Sequence, residues 1–362
     1  MPESAINESP SAATRTSSEP TPVPPTQEMP LLTRLLGPML LCAGLVILAV
    51  AIGGIRNGGW LQVLVVVIGA ALLFNGIGKV ARRRFGPHVD VTAWLCAVWL
   101  IVLISAAVFA PLLPIGEHQD LAATLSEPTM ARPDLLSAHP LGTNNFGLDL
   151  LTRVLYGARV SLIVSIGAVL MGMVFGGLVG IVAGFRRGPV DWVASVLTNS
   201  FLAVPPLILL IALATVLEPT LQNIAFALSL LATPSMIRIA RASTMALAER
   251  EFVMAGRAMG ASNLRVMVRE LLPNVALPLA SYGMVMISVL IVAEASLSFL
   301  GLGVEAPAPS WGNMIAEGQG RVFEQNPHIV LVPGVVLFFT VFAFNALGER
   351  ARSRFDSRAG KL

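Results

Sequence analysis

The chain has 362 residues, of which 55% are apolar and only 12% are charged, and its mean hydropathy is +0.77. A soluble domain carries about 25% charged residues, so this balance excludes an ordinary soluble enzyme and indicates a polytopic membrane protein. The net charge of +3 is too small to indicate a nucleic-acid partner.

The predicted elements begin after a polar N-terminal stretch. Residues 1–29 are rich in Ser, Thr, Pro and Glu and predict a disordered tail; a basic-then-apolar opening with a cleavage site, the mark of a signal peptide, is absent. A helix needs about 20 mostly apolar residues to cross a bilayer. Runs of this kind predict eight spans, at roughly 35–55, 60–80, 92–113, 160–184, 192–216, 222–240, 275–299 and 329–347.

The distribution of Lys and Arg predicts the orientation of these spans. If the N-terminal tail is cytoplasmic, only Arg56, Arg132, Arg153, Arg159 and Arg321 of the 24 basic residues fall on the outer side, which leaves 19 inside. Such a bias fixes the topology. Both termini are therefore predicted to be cytoplasmic, and two long external segments, 114–159 and 300–328, are expected.

The segment REFVMAGRAMGASNLRVMVRELLPN, residues 250–274, is a charged connection between two apolar runs. Good helix formers predict a helix over 243–259, Gly260 suits a left-handed C-terminal cap, and Ser262 suits the N-cap of a second helix. That helix is expected to reach Leu272, where Pro273 ends it or leads into the seventh span. The sequence predicts a helix–turn–helix on the cytoplasmic surface.

One face of the first predicted helix combines small and apolar residues. Phe252, Ala255, Gly256 and Met259 follow the spacing i, i+3, i+4, i+7, so a second backbone could approach closely between two apolar side chains. A docking surface for a protein and an amphipathic helix lying on the membrane both fit this pattern.

Three motifs resemble the permeases of ABC importers. Residues Glu251, Ala255, Gly256, Gly260 and Pro273 match the family's EAA loop, E-x3-A-[AG]-x3-G-x12-P. The stretches HPLGTNNFGLDLLTRVLYGARVSL (139–162) and EASLSFLGLGVEAPAPSWGNMIAEGQ (294–319) are similar to the external segment and the late signature of dipeptide and oligopeptide permeases. The resemblance covers roughly 92–358 and indicates the C-type subunit of the permease pair.

The resemblance implies an all-α type I importer permease with a six-helix core, preceded here by two extra transmembrane helices. The implied domains are a disordered tail (1–29), the two extra helices (30–85), the first core helix with the external segment (86–158), the permease domain with its EAA loop at 241–274 (159–349) and a cytoplasmic tail (350–362). The loop is expected to contact an ATPase subunit through Glu251, Phe252, Ala255, Gly256, Met259, Gly260, Ala261 and Pro273.

The implied partners are a homologous second permease, two ATP-binding subunits, an extracytoplasmic substrate-binding protein, a peptide substrate and the lipid bilayer. On the outer side Asp149, Arg153 and Trp311 are candidates for the binding-protein side, although headgroup anchoring fits the two charged residues equally well and Trp311 also suits packing of the external loop. Nickel or another small solute is the alternative cargo, and a secondary transporter that works without ATP is the competing class.

The sequence indicates no chemistry of its own. It lacks the G-x-x-x-x-G-K-[ST] loop that holds nucleotide phosphates, and its four histidines are scattered without metal-ligand spacing. No catalytic residue, cofactor or metal is therefore expected, and ATP is expected to bind to partner subunits. Glu294 is the one prominent acid within a predicted span, with a structural pairing or a proton relay as its two interpretations.

Overall fold

The computed structural model describes residues 91–112, 116–134 and 137–359, with isolated helical positions at 39–40, 42–43, 46, 78 and 80. The chain divides into two units, Met1–Val89 and Asp90–Leu362, and the three continuous ranges all belong to the second. The predicted tail 1–29 and the spans at 35–55 and 60–80 lie outside the described residues apart from those isolated positions.

The described part is all-helical, with a single isolated antiparallel bridge between Thr143 and Asp149. Its helices are α1 (Val91–Phe109), α2 (Leu150–Arg186), α3 (Gly188–Ala203), α4 (Pro206–Ala214), α5 (Leu221–Leu247), α6 (Glu251–Ala258), α7 (Asn263–Arg265), α8 (Leu272–Phe299), α9 (Trp311–Glu317), α10 (Arg321–Gln325) and α11 (His328–Ala359). A six-residue π-helical turn, Val266–Leu271, joins α7 to α8. The predicted all-α class is confirmed.

Within the described residues, five helical stretches are long and apolar enough to cross a membrane. They are Val91–Leu112, Leu150–Arg186, Leu221–Leu247, Asn263–Phe299 and His328–Ser353. Each contains all or nearly all of one predicted span, which confirms those spans. Most of these helices are longer than the apolar runs that predicted them.

The span predicted at 192–216 is not one straight helix. It consists of α3 and α4, which are bent by 87° at a short break. Val204 and Pro205 have extended backbones, with ψ of 129° and 127°. A residue before a proline is driven out of the helical region, and proline donates no hydrogen bond. The Pro205–Pro206 pair therefore ends α3 and begins α4 at its first position.

The bundle is built around a close seam between α2 and α5. An added Cβ at Gly176, Gly180 or Gly184 would come within 2.8 Å of a backbone oxygen of α5. Small residues at this spacing let two helix backbones approach in a membrane, where lipid supplies no hydrophobic force between helices. The glycine stripe therefore lies in a helix seam.

The two ends of the bundle differ in content. The upper end, as we name it, holds the start of α2, the end of α8 and the connections 116–149 and 300–327. The lower end holds the end of α2 and the turn from α5 to α8. Buried Leu150, Val154, Met314 and Ile329 pack together at the upper end, and buried Val253, Val266 and Leu271 pack together at the lower end.

Candidate functional site

The lower-end turn, residues 248–265, begins with a break that differs from the sequence expectation. A single helix was expected over 243–259, but α5 ends at Leu247 and α6 begins at Glu251, with Arg250 extended at ψ 151°. The break directs Val253, which is fully buried, toward Val266 and Leu271. Burial of this apolar side chain against the start of α8 outweighs the local helix propensity of the segment.

The corner between α6 and α7 has the two caps that the sequence predicts. Gly260 has a φ of +82°, and the amides of Gly260 and Ala261 donate to the carbonyls of Arg257 and Gly256 at 3.0 Å each. This is the hydrogen-bond pattern of a Schellman C-cap. Ser262 then caps α7, because its side chain accepts from the amide of Arg265 at 3.4 Å. Both predicted caps are confirmed.

Pro273 does not end the helix. It lies at the start of α8, directly after the π-helical turn, and the chain from Asn263 to Phe299 forms one 37-residue span. Of the two expectations for this proline, the continuation into the seventh span is the one observed. The lower-end turn is therefore joined directly to α8.

The inner side of the lower-end turn is fixed to α2. The guanidinium of Arg257 lies 4.8 Å above the ring of Phe185, near the end of α2. Phe185 and Leu247 also pack against the buried cluster of Val253, Val266 and Leu271. The lower-end turn is therefore packed against the lower ends of both α2 and α8.

The outer side of the turn exposes apolar side chains. Phe252 is 40% exposed and Met259 is 83% exposed, whereas Gly256 is buried, although an added Cβ there would meet nothing within 4 Å. The exposed face continues through three apolar residues that the sequence analysis missed, Met254, Leu264 and Val268. Leu264 and Val268 are spaced i, i+4, which places them on one helix face, and this spacing was the signal available in the sequence.

The other predicted coupling residues lie around the same surface. Glu251, Ala255, Gly260 and Pro273 are exposed, and Ala261 is half-buried. The turn thus brings the residues of the loop motif together, with Gly256 on its inner side and most of the others on its outer side.

At the upper end, the three candidate residues Asp149, Arg153 and Trp311 are all buried. Asp149 is the N-cap of α2 and accepts hydrogen bonds from the amide and hydroxyl of Thr152, at 2.8 and 2.7 Å. Its other carboxylate oxygen lies 3.1 Å from Nδ1 of His139. These side chains support the upper end from within and offer no contact surface of their own.

Two histidines of the upper-end connection have shifted pKa values in opposite directions. Burial alone lowers the pKa of His139, but hydrogen bonds and the negative charges of Glu127 and Asp149 outweigh it, so this pKa lies above its usual value. His118 stacks on Tyr156 at 3.6 Å, and burial holds its pKa below the usual value despite the neighbouring Glu117. His139 thus gains charge more readily than His118.

A buried ion pair joins α2 to α9. Nη2 of Arg153 donates to Oε1 of Glu317, and Nη1 lies 3.4 Å from the carbonyl oxygens of His118 and Pro307. The second oxygen of Glu317 accepts from Nδ2 of Asn144 at 2.9 Å. Glu317 and Asn144 were not among the candidate residues. Their hydrogen bonds join positions 164 and 173 residues apart along the chain, so no local pattern indicated them.

Glu294 of α8 is fully buried and lies in a cluster of hydroxyl groups, which we call the serine cluster. Its carboxylate accepts from Ser161 of α2 and Ser298 of α8 at 2.7 Å each, and Ser310, just before α9, is a third hydrogen-bonding partner. Of the two interpretations of Glu294 from the sequence, the pairing with neighbouring donors is the one observed. Beside the cluster, Nε1 of Trp311 donates to the carbonyl of Val154 at 3.1 Å.

Among the described residues, no group of three or more His, Cys, Asp and Glu side chains could hold a metal ion. The described residues therefore present two features: a surface with exposed apolar side chains at the lower end, and a buried polar core at the upper end in which Arg153, Glu294 and Glu317 are hydrogen-bonded. The first can bind a protein, and the second can hold helices in fixed relative positions.

Comparison with known proteins identifies the family. Residues 176–361 match the family model described as binding-protein-dependent transport system inner membrane component. The dipeptide transport system permease protein DppC of Alkalihalophilus pseudofirmus is 34% identical over 73% of this chain and 86% of its own length. The glutathione transport system permease protein GsiD of Pectobacterium atrosepticum is 31% identical over 76% of this chain and 89% of its own.

A solved chain of the MetNI methionine ABC transporter in an inward-facing conformation is 21% identical, covers 57% of this chain and 97% of its own length, and has a TM-score of 0.48. The family model spans more than half of the chain, and two curated relatives exceed 30% identity over more than two thirds of it. The chain is therefore a multi-pass membrane protein of the family of binding-protein-dependent transport system inner membrane components, the permeases of ABC importers.

Proposed function

We propose that this chain is the permease subunit of an ATP-driven importer of di- or oligopeptides, and that the lower-end turn is the surface through which a separate ATPase subunit drives it. The chain forms half of the pathway with a homologous second permease. Two ATP-binding subunits hydrolyse ATP on the cytoplasmic side, and an extracytoplasmic binding protein delivers the cargo at the upper end.

The observation that carries the proposal is the two-sided construction of the lower-end turn. Its outer side exposes Met259 and Leu264, at 83% and 67%, while its inner side is packed on α2 and α8. An exposed apolar patch rimmed by charge marks a protein interaction site. Because the inner side is fixed to two membrane-spanning helices, a partner bound on the outer side can move them.

The proposed coupling residues have two roles in the lower-end turn: some contact the ATPase subunit and others set the shape of the turn. Phe252, Ala255 and Met259 are exposed and form the contact, with Glu251 at the positive N-terminal end of α6. Gly260 and Ala261 form the cap that sets the corner, and Gly256 and Pro273 belong to the inner side and the first turn of α8.

The orientation and location follow from the same proposal. The basic residues Arg186, Arg187, Arg250, Arg257 and Arg265 all lie at the lower end or beside it, and positively charged connections stay on the cytoplasmic side. We place the lower end in the cytoplasm, the upper end outside, and the protein in the inner or plasma membrane with both termini cytoplasmic.

Peptide cargo is supported by the relatives whose names carry dipeptide, di/tripeptide and glutathione transport. The test is purification of the complete complex with its binding protein, followed by mass spectrometry of the bound ligand. Recovery of short peptides supports the cargo class. Recovery of a metal chelate or a sugar contradicts it, and uptake that continues without ATP contradicts the importer itself.

The coupling surface is tested by Leu264→Ser, with Leu125→Ser as the matched control. Both leucines are strongly exposed, at 67% and 87%, but Leu125 lies at the upper end. We expect Leu264→Ser to reduce co-purification of the ATP-binding subunits and ATP-dependent uptake, because it removes apolar contact area, and Leu125→Ser to leave co-purification unchanged. Equal co-purification of both variants would falsify the assignment of the surface.

A further inference from the structure

The two longest spans of the bundle are joined at both of their ends. The helix α2 and the span Asn263–Phe299 are 37 residues each, so each reaches from the lower end to the upper end. At the lower end, Phe185 of α2 packs against Val266 and Leu271 of the second span. At the upper end, the carboxylate of Glu294 binds the hydroxyl of Ser161 on α2.

The short helix α9 is wedged into the upper junction of these two spans. An added Cβ at Gly312 would contact the carbonyl oxygen of Ala295 on α8, and one at Gly157 of α2 would lie 3.3 Å from the Trp311 ring. Both sides of α9 are therefore in close contact with a neighbouring helix. Trp311 is fully buried and donates to the carbonyl of Val154 on α2.

Polar contacts hold the two ends of α9. At its start, Ser310 is both the N-cap of α9 and a hydrogen-bonding partner of Glu294. At its end, Glu317 pairs with Arg153 of α2 and accepts from Asn144 of the connection 116–149. Buried polar groups that are paired favour one geometry, because an alternative arrangement leaves a buried polar group without a partner.

From this geometry we infer that α9 is a clamp that makes the upper ends of α2 and α8 move together, and that Glu294 and Glu317 are its positioning residues. The inference rests on the proposed function and extends it from the lower end to the upper end. Movement of the lower-end turn reaches the connection 116–149 through two spans that cannot slide past each other. The binding protein on the outer side and the ATPases on the inner side are thereby coupled.

If the clamp couples the two ends, the loaded binding protein at the upper end changes the state of the ATP-binding subunits through the same contacts, and the rate of ATP hydrolysis is the readout. The experiment uses the complete complex reconstituted in lipid, with the cognate binding protein loaded with peptide. It compares ATP hydrolysis with and without the loaded binding protein in Glu294→Ala and Glu317→Ala. The ratio of the two rates is the stimulation.

We expect the fraction of each variant that assembles to retain basal hydrolysis and bound ATP-binding subunits, and to lose stimulation by about fivefold or more, the lower range of coupling between distant sites. The matched control is Ser296→Ala. Ser296 lies on α8 between two residues of the serine cluster but is only half-buried, and it donates to the Val292 carbonyl of its own helix. We expect normal stimulation in this control.

If Glu294→Ala does not assemble, the isosteric variant Glu294→Gln is used to test the clamp instead. Glutamine retains a single carbonyl oxygen for the hydroxyls of Ser161 and Ser298, so stimulation is expected between that of Ser296→Ala and that of the alanine variant. A purely structural role lowers the yield or melting temperature of the complex but leaves the stimulation of the assembled fraction unchanged.

Normal stimulation in assembled Glu294→Ala and Glu317→Ala overturns the clamp, as does normal stimulation in Glu294→Gln where the alanine variant fails to assemble. Failure of the proposed function has a different signature. In that case the unsubstituted chain neither retains ATP-binding subunits nor supports any stimulation, so the two failures are separated by the wild-type complex alone.

Discussion

The upper and lower ends of the bundle differ in which side chains are buried and which are exposed. At the upper end, ionisable residues such as Arg153 and Glu294 are buried and hydrogen-bonded within the chain. At the lower end, apolar residues such as Met259 and Leu264 are left exposed. The first end is held together by contacts within the chain, whereas the second is a surface that another protein can complete.

This contrast indicates that the upper end positions the helices and that the lower end binds a partner. A buried ion pair is costly to break, because removal of one partner leaves the other charged group without compensation. An exposed apolar side chain contributes little to the fold of the isolated chain and gains stability only when a partner covers it. Substitutions at the upper end should therefore change stability, and substitutions on the lower surface should change assembly.

The largest expected effect comes from Arg153→Ala. It leaves Glu317 without its cation and two carbonyl oxygens without a donor, and we expect a loss of about 3–5 kcal/mol in the free energy of unfolding. The control is Arg187→Ala at the lower end, whose pair with Glu249 is 2.6 Å long but 50% and 72% exposed. There we expect about 0–1 kcal/mol.

The free energy of unfolding of both variants and of the unsubstituted chain is measured by denaturant unfolding of the purified chain in the same detergent. Losses of equal size would show that burial does not distinguish the two ion pairs, and the contrast between the ends would then fail.

The second prediction concerns the seam that connects the two ends. Gly180→Ala places a Cβ 2.6 Å from the carbonyl oxygen of Ile237, which is backbone and cannot rotate away. Gly167→Ala in the same helix meets nothing within 4 Å. Alanine raises the helix propensity equally at both positions, so the difference in stability between the two variants measures the cost of the clash.

We expect Gly180→Ala to unfold about 1–3 kcal/mol more readily than Gly167→Ala, the usual range for overpacking. Melting temperatures of the two variants in the same detergent measure the difference. Equal stabilities would mean that α2 and α5 can separate without cost.

The features that sequence predicted and those that it missed differ in the distance between the residues involved. The spans follow from about 20 consecutive apolar residues, and the caps at Gly260 and Ser262 depend on residues within a few positions. The break at Pro205–Pro206 is an exception: it is equally local and the proline pair was a sufficient signal for it, yet a single span was predicted over 192–216.

The upper-end pairs could not be predicted in this way. Ser161 and Glu294 are 133 residues apart, and Arg153 and Glu317 are 164 apart. A single sequence carries no periodicity that relates such positions, because their approach depends on how the helices pack. Asp149, Arg153 and Trp311 were candidates for the binding-protein side, and all three are buried; for Trp311 this agrees with the alternative that it packs the external loop.

The third prediction tests the corner of the lower-end turn. Gly260 has a left-handed backbone with φ +82° and no atom near an added Cβ, so Gly260→Ala is strained by conformation alone, by about 1–2 kcal/mol. Gly256→Ala also meets nothing within 4 Å, but it lies in α6, where alanine is favourable.

We expect Gly260→Ala to weaken ATP-dependent uptake more than Gly256→Ala, since it distorts the direction in which α6 presents Met259. Uptake normalised to the amount of assembled complex measures this effect. A larger loss in Gly256→Ala would instead assign the important contact to the inner side of the turn.

The smallest expected effect is a pH dependence at the upper end. The pKa of His139 is raised between Glu127 and Asp149, so its contribution to stability is complete below the unfolded pKa of about 6.5 and is lost as the pH rises through the higher folded value. The pKa of His118 is lowered by burial, so its contribution is complete above about pH 6.5 and is lost as the pH falls through the folded value.

Melting temperatures of His139→Gln, His118→Gln and the unsubstituted chain should be measured from about pH 5 to about pH 8. The loss of melting temperature should depend on pH with opposite sign in the two variants. The destabilisation by His139→Gln should be largest at acidic pH, and that by His118→Gln should be largest at alkaline pH. Because the Glu127 side chain is 44% exposed, solvent screens part of the first effect. Parallel profiles for the two variants would contradict the assignment of the charged histidine to the Glu127–Asp149 pair.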